Sequence, residues 1–264
     1  MRIASAYARG AIALTLSLPC AFAADAPGRK DVPAPEPKES FECRRASGPI
    51  TLDGKADEPA WKNAEVCDNF VPYWLKTKNA PLRKPYTNTT ARLLWDDKYL
   101  YFHAEMEDAD LFADVTEQDG ECWNNDVFEL FFKPSDKTSP YYEFEVTPRN
   151  THFDMFVPMR NYTEFAKWFK DREFQWETKV VTKGTLNKRD DRDTGWSVEG
   201  RIPWTDFAPT GGAPRAGDEW KFTLCRYDYA VGFKEPELSA TAPLTMKNYH
   251  YFEDYSPLKF VGAR

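Results

Sequence analysis

Three segments of this 264-residue chain alternate their side chains with period two. In residues 99–106, Leu100, Phe102, Ala104 and Met106 fall on one face, and Tyr101, His103 and Glu105 on the other. In residues 127–132, Phe128, Leu130 and Phe132 oppose Val127, Glu129 and Phe131. In residues 141–146, Tyr142, Phe144 and Val146 alternate with Glu143 and Glu145. Successive side chains of a strand point to opposite faces, and aromatic and β-branched residues suit a pleated, half-buried surface. Strands that follow one another in sequence usually lie side by side. The pattern therefore predicts one sheet with a greasy side and a solvated side bearing acids.

The rest of the chain reads the same way. Residues 92–95 and 99–106 flank Asp96-Asp-Lys98, a hairpin signature. Further strands are expected at 49–54, closing on an Asp53-Gly54 turn, and at 151–157, 174–181, 196–202, 219–227 and 258–261. Short helical turns are expected at 57–61, with Asp57 as N-cap and Trp61 packed inward, and at 203–207. Residues 162–170 read as a further short helical excursion. Many short strands without long alternating helices predict an all-β, antiparallel β-sandwich of jelly-roll or immunoglobulin-like two-sheet architecture.

The N-terminus has the pattern of an export signal. Arg2 and Arg9 precede an apolar run at 11–18, and Ala21-Phe-Ala23 supplies a small-x-small cleavage site. Cleavage after Ala23 would send the chain to the periplasm or the outside. It would also change the net charge from -7 to -9. No later run is long and apolar enough to span a bilayer. Residues 24–40 contain four prolines and little to bury, so they read as a disordered or extended linker, with the folded domain occupying 41–264. The acidic balance argues against nucleic acid, whose phosphates require a basic surface. Four cysteines remain after cleavage: Cys43, Cys67, Cys122 and Cys225. In an exported chain they suggest disulfides. Cys43 with Cys67 is the natural pair, leaving Cys122 and Cys225 as a second pair or as buried thiols.

The stretch Cys122-Trp-Asn-Asn-Asp-Val-Phe-Glu129 carries the main functional signal. An indole at a strand mouth with a carboxylate on the strand behind it suits a polar ligand that has one apolar face. A sugar is such a ligand: its axial C–H groups pack on an aromatic face, and its hydroxyls donate to a carboxylate in charge-assisted hydrogen bonds.

Several blocks resemble the family 9 carbohydrate-binding modules. They are Leu52-Asp-Gly-Lys-Ala-Asp-Glu-Pro-Ala-Trp61, Trp95-Asp-Asp-Lys-Tyr-Leu-Tyr-Phe102, the Trp123/Asp126/Glu129 spacing, Tyr141-Tyr-Glu-Phe-Glu-Val-Thr-Pro-Arg-Asn150, Gly184-Thr-Leu-Asn187 and Gly195-Trp-Ser-Val-Glu-Gly-Arg-Ile-Pro-Trp204. They run in order from about residue 43 to 262. The resemblance implies a domain related to the DOMON-type sandwiches that binds mono-, oligo- or polysaccharide without cleaving it, often beside glycoside hydrolases. It implies one clamp ring at Trp123, a hydrogen-bonding carboxylate at Glu129, and polar contacts from Arg149 and Asn150, with Arg149 also holding Glu129 ionised. The family's second clamp ring is a Trp near the C-terminus. This chain has no Trp after Trp220, which leaves Tyr249, His250 or Tyr251 for that place. Structural calcium is also implied, and Asp190, Asp191 and Asp193 are its candidate ligands, with Asp108 and Asp110 as a second acidic run. Two other readings are open. Haem ligation would draw on His103, His152, Met155 and Met159. Glycoside hydrolysis would require a matched pair among Glu105, Glu129, Glu143 and Glu145.

Overall fold

The computed structural model describes residues 33–78, 82–161 and 174–262. The export segment 1–23, the first part of the linker and the excursion expected at 162–170 lie outside the described residues. Among the described residues twelve strands are present: β1 (Phe41–Arg45), β2 (Val66–Cys67), β3 (Thr89–Trp95), β4 (Tyr99–Glu107), β5 (Val127–Lys133), β6 (Tyr141–Val146), β7 (His152–Val157), β8 (Glu177–Lys183), β9 (Gly195–Pro203), β10 (Glu219–Asp228), β11 (Glu237–Ala240) and β12 (Ser256–Val261). Described helical segments are short 3-10 turns, among them Pro59–Asn63 and Trp204–Thr210.

The strands form one continuous ladder in the order β7-β6-β5-β10-β12-β1-β3-β4-β9-β8, with β11 beside β10 and β2 beside β3. The ladder does not lie flat. β4 and β5 are five steps apart along it, a span of about 24 Å at the usual ~4.8 Å per strand. Yet the Phe102 and Phe128 rings, one on each strand, have centroids 6.3 Å apart. The sheet therefore curls back so that its two halves enclose a shared core. Gly200 permits the contact, because a Cβ there would lie 2.3 Å from the Phe102 ring. β1 runs parallel to both β12 and β3, which its distance from them in sequence allows. The other ladders are antiparallel.

The alternation predicted for the core holds. Leu100, Phe102, Ala104, Met106, Phe128, Leu130, Phe132, Tyr142, Phe144 and Val146 share one buried cluster. The β3–β4 hairpin turns at Asp96, whose Oδ1 accepts from Lys98 N and Tyr99 N at 2.7 and 2.8 Å. Two expectations fail. β4 does not neighbour β5. It pairs with β3 and β9, and β5 pairs with β6 and β10. Nor is the acid-bearing face of β5 and β6 wet. A second apolar layer covers it, containing Val127, Phe131, Tyr141, Phe153, Met155, Tyr249 and Tyr255. Every residue of β5 and β6 is consequently buried.

Residues 49–54 form no strand. Asp53 N and Gly54 N donate instead to Glu199 Oε2 at 2.9 and 3.2 Å, and the buried Trp61 indole donates to Glu199 Oε1 at 3.0 Å. The N-cap position of the following 3-10 turn is Glu58, one residue beyond the expected Asp57, with no side-chain cap bond. Residues 33–40 lie along the domain, where Pro33 forms an isolated bridge with Arg83. The expected Cys43–Cys67 bridge is not formed. All four described cysteines are free, buried thiols. Cys43 and Cys67 pack in the main core as small apolar side chains, and burial pushes the Cys67 thiol up to about 12.

Candidate functional site

The approach to β5 is a clamp made of Asn125 and Asp126, both fully buried. Asn125 Oδ1 accepts from Asp114 N and Val115 N at 3.1 and 2.9 Å, and its Nδ2 donates to Asp114 Oδ1 at 2.7 Å. Asp126 accepts from Phe112 N at 2.6 Å and from Tyr229 N at 2.7 Å. These bonds tie the loop around residues 112–115 and the end of β10 to the 3-10 turn Cys122–Asn124, fixing the half-buried Trp123. Its ring meets Phe153 edge-on, centroids 5.2 Å apart at 89°, and its carbonyl accepts from Tyr229 Oη at 2.7 Å.

Beyond Trp123 opens a cavity of about 670 Å³. Its walls come from β5 (Glu129, Phe131), β6 (Glu143, Glu145), β7 (Phe153, Met155), β10 (Tyr227) and residues 247–250, with Asp119 and Glu121 beside Trp123. The antiparallel register sets Glu129 directly opposite Glu145, and Glu143 follows two residues along the same face. The three are 2%, 4% and 1% exposed for Glu129, Glu143 and Glu145. Burial pushes all three carboxyls above the usual range, and for Glu129 and Glu145 the neighbouring carboxylates push further in the same direction. Glu143 Oε2 and Glu145 Oε2 are buried without a hydrogen-bond partner. Among the described residues, the basic group recorded beside them is His250, whose Nε2 lies 3.9 Å from Glu143 Oε2, while its Nδ1 is 2.9 Å from Tyr141 Oη.

Of the residues singled out in the sequence, Trp123, Glu129, Tyr249 and His250 line this one cavity. Arg149 and Asn150 do not. They sit in the turn joining β6 to β7, where Arg149 Nε donates to Ala113 O at 3.1 Å. Asn150 holds a left-handed φ of 64° there, and its Oδ1 accepts from Thr178 Oγ1. Arg149 thus braces the same loop that Asn125 holds, and the acids are left without the expected guanidinium. Tyr249 is 4% exposed. Its hydroxyl donates toward the carbonyls of Arg226 and Ser239, 2.9 and 3.0 Å away, so its ring is wedged in the wall. Tyr251 lies outside the cavity lining, 5.3 Å from the Arg160 guanidinium.

The proposed calcium ligands do not converge. Asp190 and Asp191 face Lys188 at 3.8 and 3.4 Å. Asp193 accepts from Leu111 N and Thr185 N, both at 2.7 Å. Among the described residues, the acids whose ligand atoms converge within 4.8 Å are Asp108, Asp126 and Asp228. Their fit to a cation is poor because Arg226, 2% exposed, already lies 3.2 Å from Asp108 Oδ2 and 3.4 Å from Asp228 Oδ2. The four haem candidates also scatter. His103 is buried 6.0 Å from the Trp61 ring. His152 stacks against Trp176 and contacts Thr178 Oγ1 at 2.5 Å. Met155 lines the cavity, and Met159 is exposed.

Sequence reading missed three contributors. Asn125 and Asp126 position the indole, a role that the polar entry to an otherwise apolar strand could have signalled. Tyr227 follows from the alternation of β10 opposite β5. Glu143 and Glu145 were visible as acids on the Glu129 face, but the apolar layer that buries them was not.

Fold and cavity together define a mostly-β protein equipped to hold a small polar ligand against an aromatic wall. Residues 52–252 match the carbohydrate family 9 binding domain-like family, and the chain belongs to that family. Over 165 residues it is 25% identical to endo-1,4-beta-xylanase A of Thermoanaerobacterium saccharolyticum, which is 62% of this chain and 12% of that enzyme. Over 94 residues it is 34% identical to an extracellular protein of Arthroderma benhamiae, which is 34% of this chain and 42% of that one. The chain thus spans less than half the length of either relative. A family 9 carbohydrate-binding module of Caldicellulosiruptor kristjanssonii, solved with cellotriose, superposes with a TM-score of 0.55 at 17% identity, covering 84% of this chain and 95% of that one. A protein of Bacteroides uniformis superposes with a TM-score of 0.64 at 14% identity, covering 84% and 99%. At such identities the likeness is one of fold. No helix among the described residues is long and apolar enough to cross a membrane.

Proposed function

We propose that this chain is a non-catalytic carbohydrate-binding domain that seats a sugar in the cavity beside Trp123. One observation carries the reading. The half-buried indole and the three carboxylates of Glu129, Glu143 and Glu145 line the same space of about 670 Å³, within the usual range of small-ligand sites. The indole offers an apolar face to the sugar's C–H groups, and the carboxyl groups offer acceptors to its hydroxyls. His250 and Tyr227 add further polar groups to the lining, in place of a second clamp Trp. Arg149 and Asn150 act at a distance, by bracing the loop behind the Trp123 turn.

We read the folded-over ladder as a two-layer β-sandwich. The solved module that holds cellotriose and the xylanase relative support a plant-polysaccharide setting and a glycoside hydrolase as working partner. The export signal at 1–23 supports a secreted or periplasmic location. If calcium is bound at all, Asp108, Asp126 and Asp228 would hold it, and with Arg226 already among them the domain is expected to fold without it.

Isothermal titration with a panel of mono- and oligosaccharides tests the reading. The Trp123→Ala variant should keep its melting temperature to within a few degrees and lose affinity by about 10–100-fold, the equivalent of ~1–3 kcal/mol of aromatic contact. Equal binding by wild type and Trp123→Ala would place the site elsewhere. No binding of any sugar by the folded wild type would refute the function.

A further inference from the structure

Among the described residues, buried acids meet a cation or a hydrogen-bond donor, and one group of three stands apart. Asp108 and Asp228 meet the Arg226 guanidinium. Glu237 meets Arg83 at 2.7 Å. Glu199 accepts from two backbone N–H groups and an indole. Asp154 accepts from the Trp176 indole at 2.8 Å. Glu129, Glu143 and Glu145 are buried as well. Among the described residues, the basic group recorded near any of the three is His250, 3.9 Å from Glu143.

Lys247, which also lines the cavity, points to Glu235 at 3.5 Å. Asp119 and Glu121 add two more acids to the lining. Glu143 and Glu145 thus meet each other rather than a cation, and the oxygens left over, Glu143 Oε2 and Glu145 Oε2, belong to residues that line the ligand space. An unpaired buried carboxylate is costly, and adjacent like charges add to the cost.

A ligand carrying a positive charge removes both penalties at once. A primary ammonium offers three N–H donors and no acceptor, which matches three carboxyl groups on two adjacent strands. We infer that the cavity selects an amino sugar, a pyranose bearing a free amine as found in 2-amino-2-deoxy sugars and their polymers, with the ammonium on Glu129, Glu143 and Glu145 and the ring's apolar face on Trp123. The inference rests on the carbohydrate reading of the same cavity and narrows its substrate class. A neutral hexose keeps the stacking contact but brings no cation to the three buried acids. An N-acetylated sugar replaces the cation with a neutral, bulkier amide and forfeits the gain.

The test is calorimetric titration of the full chain with glucosamine, N-acetylglucosamine and glucose near neutral pH. Wild type, Glu143→Gln and Glu145→Gln are compared, with folding checked by thermal melting. Wild type should bind glucosamine at least about tenfold more tightly than either neutral sugar, the scale of a charge-assisted contact. In both glutamine variants the ratio of glucosamine to glucose affinity should shrink toward equality, whatever each substitution does to glucose affinity itself. Neutral sugars bound as tightly as glucosamine by wild type would overturn this inference and leave the carbohydrate reading standing. So would a preference for glucosamine that survives both substitutions. Absence of binding to all three sugars and their oligomers would overturn both together.

Discussion

Replacing Glu145 by glutamine should stabilise the protein at neutral pH and leave it nearly unchanged in acid. Burial, then Glu129 and Glu143, hold the Glu145 carboxyl well above the usual glutamate range, about 4.3 in an unfolded chain. The folded state therefore holds a proton that the unfolded state releases. For such a group stability is greatest below the unfolded value and falls as pH rises from there toward the folded one. Each unit crossed in that window costs about 1.4 kcal/mol. Glutamine has nearly the same shape and no charge, and its amide can donate to the unpartnered Oε2 of Glu143. Relieving one unsatisfied buried polar group is worth about 1–3 kcal/mol, or a rise of about 2–12 °C in melting temperature for a domain of this size. Differential scanning calorimetry at a series of pH values reads the effect directly. The gain should be present at about pH 7 and should shrink toward about pH 4, where the unfolded glutamate is itself largely protonated. A fall in melting temperature at neutral pH, or an equal shift at both pH values, would refute the reasoning.

Removing the one cation that serves the other acid cluster should do the opposite. Arg226→Met leaves Asp108 and Asp228 buried without their partner and should cost about 3–5 kcal/mol, seen as a lower urea midpoint with an unchanged slope. A chelator should leave the melting temperature where it is, since Arg226 lies where a structural cation would sit; a drop of several degrees that added calcium reverses would count against this. The four thiols should resist a thiol reagent until the protein is unfolded, because burial raises them all, and a reductant should not shift the melting curve.

Much of the core was legible because its signal is local. Period-two alternation in residues 99–106, 127–132 and 141–146 assigns Phe102, Phe128 and Phe144 to one core without any knowledge of strand order. The Asp96 turn, the inward Trp61 and the indole at the mouth of β5 were likewise readable from neighbours in sequence. Long-range pairing was not. β5 lies beside β10, some ninety residues on, through the register Glu129↔Cys225, and nothing local distinguishes that from a neighbourly β4. The parallel insertion of β1 between β12 and β3 is invisible for the same reason. Arg149 shows the limit at the site. Its motif position suggested a partner for Glu129, yet the turn geometry set by Asn150 sends its guanidinium to Ala113 O.

The same alternation explains why Arg226 does not serve the cavity. Arg226 lies on β10, the strand next to Glu129, and faces Phe128 in the register. Its neighbours two and four residues back, Leu224 and Phe222, belong to the main core. Cys225 and Tyr227 belong to the face that holds Glu129. Arg226 is therefore on the wrong side of the sheet by one residue, and a shift by one would exchange the faces of the whole strand. The guanidinium is also held where it is by Glu107 O at 2.7 Å and Thr89 Oγ1 at 3.1 Å, so it cannot swing across. Charge is thus segregated by the pleat. The side facing the main core has acids with a cation. On the ligand side, among the described residues, His250 is the basic group recorded beside the three acids and Lys247 is turned toward Glu235, so a positive charge carried by the ligand would complete the Glu129, Glu143 and Glu145 group.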